Sequence, residues 1–277
     1  MNSIKTHIKY ISKVKNKNIG CIFDFSVESN KNINRNINEI FKQINNIDNQ
    51  YIALKFSALG IDNLEQSRNS IDQFYYENKL KKYPNQFLID TEYYKIQQNI
   101  NRLSNYALDN YNTKNNKYFY KTLQLYRNDT WDLYLHDIEY FIRREKYALK
   151  LVRGAYIKTD LKYNIINQNK MITDSQYNKV IKYFFYYLDT YPENNLIVST
   201  HNKESYQLTK SYIDKNYDKY NHHVKFATLL GMVDSICYDD TIKYHKLKYI
   251  PYSPFFEKTP YLLRRLIENK NRLIHIL

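Results

Sequence analysis

Glycine is nearly missing from this chain of 277 residues, occurring only four times. In so glycine-poor a sequence, the ones that remain mark places where backbone turns sharply or approaches a ligand. Gly60, Gly154 and Gly231 each lie just past a predicted strand. No G-x-G-x-x-G follows any strand, so an open doubly wound sheet, the second-ranked fold, lacks its fingerprint. Cysteine occurs twice, at Cys21 and Cys237. That is too few for a disulfide or metal framework and suits a reducing or neutral compartment. No apolar run reaches the length of a transmembrane helix. H-E-x-x-H, G-x-S-x-G and the P-loop are absent, and the adjacent His222 and His223 are poorly placed to share one ion.

Acidic residues are also scarce, and the first 22 residues contain none. That stretch resembles an import presequence in lacking acids but has none of the usual arginines. Its other reading is a short basic lead-in to the first strand. The expected division is a lead-in over 1–19 and one barrel domain over 20–277. Over the whole chain, 42 Lys and Arg outnumber 28 Asp and Glu, a net charge of +14. Such a charge invites a nucleic-acid or anionic-membrane reading. However, the lysines are spread evenly among many Asn, Ile and Tyr, which is a global compositional bias. With no RNP-like motif or zinc-finger spacing, nucleic acid is not an expected partner.

What the chain does contain is an alternation of short apolar runs and amphipathic helical patterns. Strands are expected at Gly20–Phe25, Tyr51–Phe56, Gln86–Ile89 and Tyr118–Leu125. The second half gives Ala148–Val152, Asn195–Ser199, Val224–Leu230 and Lys248–Ile250. Each precedes a helical period, for example Ile33, Ile37, Ile40, Phe41 and Ile44, or Tyr177, Val180, Ile181, Phe184 and Leu188. Eight such pairs in about 250 residues predict an α/β fold, a (βα)₈ TIM-type barrel.

In such barrels the active site lies at the C-terminal ends of the strands. Here those ends carry Asp24 and Glu28, Lys55, Asp90, Gln124, Lys150 to Tyr156, Thr200-His201-Asn202, Gly231 and Tyr249. Any one of them alone is more often a satisfied polar residue or a cap. Their shared position is what points to a site. After the last strand, Thr259 and Pro260 open a helix that puts Tyr261, Arg264, Arg265 and Glu268 on one face. An arginine pair by itself is usually a solvated helix end. Beside Lys55 at one rim, it would suit a small anion. Amides, hydroxyls and an anion clamp without an evident nucleophile fit chemistry done by a bound cofactor.

Four motifs in this order, KLVRGAY (150–156), STHN (199–202), LLGM (229–232) and YIPYSP…PYLLRRLIEN (249–269), resemble the proline dehydrogenase family. FDFSVE, LKFSAL, IDTE and LQLY fall in register with it, so the likeness spans nearly the whole chain. It implies a distorted (βα)₈ barrel that binds FAD and oxidises L-proline to Δ¹-pyrroline-5-carboxylate by hydride transfer. A quinone then takes the electrons, and the protein sits peripherally on a membrane. That membrane is the mitochondrial inner membrane, matrix side, in a eukaryote; otherwise the enzyme is cytoplasmic and membrane-peripheral.

Carried over by position, Lys55, Arg264 and Arg265 hold the substrate carboxylate. Tyr249, Tyr261 and Leu151 pack on its ring, Asp90 supports the site near Tyr249, and Glu28 gates the mouth. Asp90 and Lys150 are the implied catalytic pair. Thr91, Gln124, Lys150, Val152, Arg153, Gly154, Ala155, Thr200 and His201 contact the flavin. Lysine at 150, where the bacterial branch carries arginine, is similar to the eukaryotic branch. Ser253 and Thr228 depart from the family's usual glycine and glutamine. Two other readings are hydroxyproline dehydrogenase and a degenerate barrel acting as a basic binding module. The intact Lys55, Arg264, Arg265 and Tyr249 argue against the second.

Overall fold

The computed structural model describes residues 19–27, 32–230 and 243–252. Eight parallel strands close on themselves in chain order. They are β1 (Ile19–Phe25), β2 (Tyr51–Leu54), β3 (Gln86–Ile89), β4 (Phe119–Gln124), β5 (Ala148–Val152), β6 (Asn195–Ser199), β7 (Val224–Leu229) and β8 (Lys246–Tyr252). Closure comes from β1 and β8, whose register runs from Ile19 opposite Lys246 to Phe25 opposite Tyr252. No edge is left to pair with another chain.

Helices fill the crossovers: α1 (Ile33–Asn46), the short α2 (Phe56–Leu59), α3 (Leu64–Lys79), α4 (Tyr94–Tyr111) and α5 (Thr130–Asp137). They continue with α6 (Ile157–Asp160), α7 (Lys170–Thr190), α8 (Lys203–Lys215) and α9 (Tyr217–Tyr220). The asparagine-rich composition has a local use here. Asn32, Asn63, Asn169 and Asn202 each accept a hydrogen bond from an amide three residues on and so cap α1, α3, α7 and α8. Each such cap stabilises its helix by about 1 kcal/mol.

Most expected strands stand within a residue of their predicted ends, with two instructive differences. The second ends at Leu54 rather than Phe56, because the Lys55 carbonyl accepts from Ala58 N and opens α2. Gly60, at φ +96°, then terminates α2 in the left-handed region. The last strand is longer than expected, since ladder bonds to β1 and β7 begin at Lys246. The helical period Trp131, Leu135, Ile138 and Ile142 runs past α5 into a π-helical turn over Ile138–Ile142. The helix expected to begin at Thr259 lies outside the described residues.

Strand alternation sorts the core into two layers. Ile22, Ala53, Leu88, Tyr120, Ala148, Ile197, Ala227 and Leu247 fill the barrel interior. Their neighbours Phe23, Leu54, Phe87, Phe119, Leu149, Val198 and Phe226 face the helices, where they meet Phe74, Leu103, Phe141, Val180 and Phe184. Each fully buried large apolar side chain contributes roughly 1.5–3 kcal/mol relative to exposure.

One polar cluster sits inside the outer layer. Lys121 of β4 points outward, with its Nζ 2.8 Å from Asp137 Oδ1 and 3.0 Å from Asn105 Oδ1. Tyr147 Oη donates to the other Asp137 oxygen at 2.7 Å. Both charges are about fully buried, at 2% and 1% exposure, so removing one partner strands the other. Asp137→Ala should therefore lower unfolding stability by about 3–5 kcal/mol in urea titration. The double variant Lys121→Met/Asp137→Leu should recover most of that. A single-variant loss below about 1 kcal/mol would mean that water screens the pair as it does at a surface.

Candidate active site at the mouth of the barrel

The alternation that builds the core also selects what faces the mouth. Two residues beyond Ile22, Ala53, Leu88 and Ala148, in the inward phase, stand Asp24, Lys55, Asp90 and Lys150. Gln124 follows Tyr120 and Thr122 in the same phase, and Tyr249 packs directly on the inner layer. These side chains form two ionic groups. Lys55 Nζ lies 2.8 Å from Asp24 Oδ2, with both side chains buried. The second group centres on Asp90 of the β3 end. One carboxylate oxygen pairs with Lys150 Nζ, and the other accepts from Tyr249 Oη at 2.8 Å. The Lys150 ammonium also stands 5.2 Å from the Tyr249 ring centroid, within cation–π range.

Burial makes both pairs costly unless their remaining oxygens and protons are satisfied. That satisfaction is incomplete. Among the described residues, Asp24 Oδ1, Thr122 Oγ1 and Gln124 Oε1 are buried without a hydrogen-bond partner. A buried polar atom left unpaired costs roughly 1–3 kcal/mol, so unpaired atoms collected at one end of a barrel suit a ligand. The Gln124 amide nitrogen, by contrast, is fixed on the Glu92 carbonyl at 2.8 Å, which leaves only Oε1 to face a guest.

The turn after β5 is built around a missing side chain. Gly154 has φ +119°, and a Cβ there would lie 1.8 Å from Tyr126 Cδ1. The Tyr126 ring thus occupies the space of a side chain, and its amide donates to the Arg153 carbonyl at 2.9 Å. Its hydroxyl donates to Asp160 Oδ2 at 2.6 Å, while Asp160 Oδ1 accepts from Tyr94 N at 2.9 Å. Burial first, and then the Asp160 charge, push the Tyr126 hydroxyl above its ordinary range, so it stays a donor. One fully buried carboxylate therefore ties together the segments that follow β3, β4 and β5.

Arg153 extends this framework to β6. Its Nε donates to Asp174 Oδ1 at 2.5 Å, one terminal nitrogen to Thr200 Oγ1 at 2.8 Å, and the other to Ser205 Oγ at 2.9 Å. The guanidinium lies 4.3 Å from the Tyr177 ring centroid. Burial works to raise the Asp174 carboxyl, but hydrogen bonds from Lys170 and Arg153 outweigh it and hold the group below its ordinary value. Beside Asp174 lies a cavity of about 680 Å³, lined by Lys170, Asp174, Asn178, Lys179, Lys182 and Glu204.

Of the residues singled out in the sequence, Lys55, Asp90, Gln124, Lys150 and Tyr249 converge on the mouth. Val152 shares the inward phase of Lys150, and Gly154 and Ala155 follow in the turn. Thr91 is turned to Gln97, donating to Oε1 at 2.5 Å. His201 Nε2 accepts from Leu229 N at 3.4 Å, at the β6–β7 edge. Arg153 uses three of its five N–H donors on protein partners, which fixes the guanidinium while each terminal nitrogen keeps a second N–H.

Leu151 is a correction. It is fully buried in the strand–helix layer, since neighbours on a strand face opposite sides and Lys150 already faces in. It does not line the mouth. Glu28, Tyr261, Arg264, Arg265 and Ser253 lie outside the described residues. Sequence reading missed Tyr126 and Asp160 as supports, and it left Asp24 out of the clamp although its inward phase was readable.

A family profile described as proline dehydrogenase matches residues 7–274. Human mitochondrial proline dehydrogenase 1 is 30% identical over 195 residues, covering 66% of this chain and 32% of that protein. The Dictyostelium discoideum counterpart is 28% identical over 196 residues, 66% of this chain and 34% of the relative. A hydroxyproline dehydrogenase of Xenopus laevis is 28% identical over 203 residues, covering 67% and 42%. The chain thus spans about a third of the length of the first two relatives. Among solved structures, proline utilization A from Bdellovibrio bacteriovorus inactivated by N-propargylglycine superposes with a TM-score of 0.80. That match has 19% identity and covers 96% of this chain and 32% of the other, a likeness of fold.

The Asp160 hub makes a prediction about local order. Asp160→Ala leaves Tyr126 Oη and Tyr94 N without their acceptor, a cost of roughly 1–3 kcal/mol. Hydrogen exchange should quicken together in the segments after β3, β4 and β5, while β1 and α1 stay protected. Asp160→Asn, which keeps one acceptor oxygen, should restore most of the protection. Loosening confined to 153–160 would show that Asp160 serves its own turn alone.

Proposed function

Because the chain belongs to the proline dehydrogenase family, we propose that it oxidises L-proline to Δ¹-pyrroline-5-carboxylate with FAD as the hydride acceptor. A quinone then takes the electrons. The observation that carries this reading is the cluster of Asp90, Lys150 and Tyr249 at the barrel mouth. Hydroxyproline dehydrogenase, the name of one relative, is the second reading.

The residues present fit a flavin. Gln124 Oε1 is a buried, unpaired acceptor, suited to an N–H of the isoalloxazine ring. The turn after β5 holds Val152 and Ala155 on either side of the Arg153–Gly154 pair, with the Tyr126 ring packed on Gly154. Thr200 and His201 follow the neighbouring strand β6, and Thr91 follows β3 two strands away. The lysines of the cavity beside Asp174 suit phosphates. Bound FAD supplies a two-electron acceptor, which no side chain of the chain provides.

The chain's own part is positioning and charge. The hydride leaves C5 of proline with the electron pair of its C–H bond, and the ring nitrogen lone pair closes the C=N bond. Lys55, joined by Arg264 and Arg265, holds the carboxylate and so fixes which hydrogen is presented. Asp24 keeps the Lys55 ammonium charged and aimed. Tyr249, tethered through its hydroxyl to Asp90, offers a ring face that cannot swing away, and the family resemblance gives Tyr261 the same role. Lys150, held by the same carboxylate, keeps a positive charge where reduction deposits a negative one. Glu28 closes the mouth. The relatives named mitochondrial support a mitochondrial location, and a matrix-side, membrane-peripheral position is part of the proposal. Among the described residues no helix is long and apolar enough to cross a membrane.

Protein reconstituted with FAD should show flavin absorbance that bleaches anaerobically when proline is added. Lys150→Met should slow the bleaching by roughly 10- to 1,000-fold, the scale of losing one oriented charge, while Lys150→Arg recovers part of it. Folded protein that takes up no FAD would sink the proposal.

Substrate choice rests on Tyr249. A ring fixed by Asp90 leaves little room beside C4, and overpacking costs about 1–3 kcal/mol. Proline should exceed hydroxyproline in kcat/KM, and Tyr249→Ser should narrow or reverse that ratio. Equal loss on both substrates would assign Tyr249 to the barrel wall.

A further inference from the structure

The ion pair of Lys55 and Asp24 is lopsided. Both side-chain donors that reach the Asp24 carboxylate come to the same oxygen. Lys55 Nζ lies 2.8 Å from Oδ2, and Ser26 Oγ donates to Oδ2 at 3.0 Å. Oδ1 is buried and accepts no hydrogen bond. The other buried carboxylates that follow the strands at this end are used on both oxygens. Asp90 holds Lys150 and Tyr249, and Asp160 holds Tyr94 N and Tyr126 Oη. Glu92 takes the Ser57 amide on one oxygen and the Ser57 hydroxyl on the other. Among the described residues at the mouth, Asp24 is thus the buried carboxylate with an acceptor to spare.

Its place on the strands says what would meet that acceptor. Asp24 stands opposite Ala53 on one side and Pro251 on the other. Lys55 comes two residues after Ala53, and Tyr249 two before Pro251, so all three side chains share the inward phase. Asp24 therefore sits between the lysine that the proposed reaction gives to the substrate carboxylate and the ring on which the substrate packs. Tyr249 in turn reaches Asp90, on the strand beyond Lys55. In an α-amino acid the nitrogen and the carboxylate are borne by one carbon, so their charges stay adjacent, as those of Lys55 and Asp24 do. The pair is a charge template opposite in sign to a zwitterion.

We propose, resting on the proline reading, that Asp24 Oδ1 accepts a hydrogen bond from the ring nitrogen of the substrate. The Lys55–Asp24 pair then selects a cyclic amino acid over a plain carboxylic acid. Because Oδ1 is sealed in the free chain, binding must draw the Lys55 ammonium toward the substrate carboxylate and admit the nitrogen beside it. A charge-assisted bond shielded from water is stronger than one in solution, which favours this exchange. A secondary amine that has given up its extra proton still carries one N–H. That N–H stays on Oδ1 while the freed lone pair closes the C=N bond.

The probe is cyclopentanecarboxylate, which keeps the ring and carboxylate of proline and has CH₂ in place of the nitrogen. With the FAD-reconstituted full chain, its affinity is read from the change in the flavin spectrum. That of proline is read from the concentration dependence of anaerobic bleaching. Wild type should bind proline at least about tenfold more tightly than the carbocycle, the scale of one hydrogen bond to a charged group. Asp24→Asn should lose most of that preference, because the amide turns its oxygen to Lys55 and its NH₂ to the substrate nitrogen. Lys55→Met should weaken both ligands, since both carry the carboxylate, and leave proline the preferred one.

Each preference is a ratio taken within one protein, so a general loss of stability does not mimic the effect. A wild type that binds the carbocycle as tightly as proline would overturn the role of Asp24 with no variant needed. Equal losses of both ligands in Asp24→Asn would also overturn it, assigning Asp24 to the support of Lys55 alone and leaving the proline reading intact. Flavin-loaded wild type that binds neither ligand would overturn the proline reading and this role together.

Discussion

Asp90 joins three strands that are not neighbours. From the end of β3 it holds Lys150 on β5 with one oxygen and Tyr249 on β8 with the other. A carboxylate shared in this way fixes two side chains by a single rotamer. Its cost of burial is met only because both oxygens are used. The arrangement presupposes a closed barrel, since Lys150 and Tyr249 meet one group only when β8 has returned beside β1. The whole sheet thus stands behind the orientation of one ring and one ammonium.

The sequence-level reading succeeded where local pattern and tertiary environment agree. Gln86–Ile89, Ala148–Val152 and Asn195–Ser199 are strands to the residue, because short runs rich in apolar and β-branched side chains are covered on both faces. It erred at Leu151, where a motif was carried over whole although adjacent strand residues face opposite ways. Lys150 inward requires Leu151 outward, and that was deducible. Asp160 was not deducible. Nothing local marks an aspartate in a four-residue helical turn as the partner of Tyr94 N, 66 positions earlier in the chain.

The lysine excess also looks different in three dimensions. Lys55, Lys121 and Lys150 are all nearly sealed from solvent, and each meets a carboxylate. Lys117 shows a second solution, with its buried ammonium on the Thr113 and Lys114 carbonyls. For Lys117 and Lys225, whose hydrogen bonds go to carbonyls, burial lowers the ammonium below its ordinary value.

Loops on barrels of this kind are often treated as interchangeable parts, each free to lengthen or diversify on a fixed scaffold. The junction of Tyr94, Tyr126 and Asp160 removes that freedom from three of them. An insertion after β3 displaces the amide that Asp160 needs. A change after β4 removes the ring on which Gly154 rests, and a shift after β5 moves the carboxylate itself. Divergence on this side of the barrel must proceed by exchanging all three segments together, so they form one unit of inheritance despite lying on three successive crossovers.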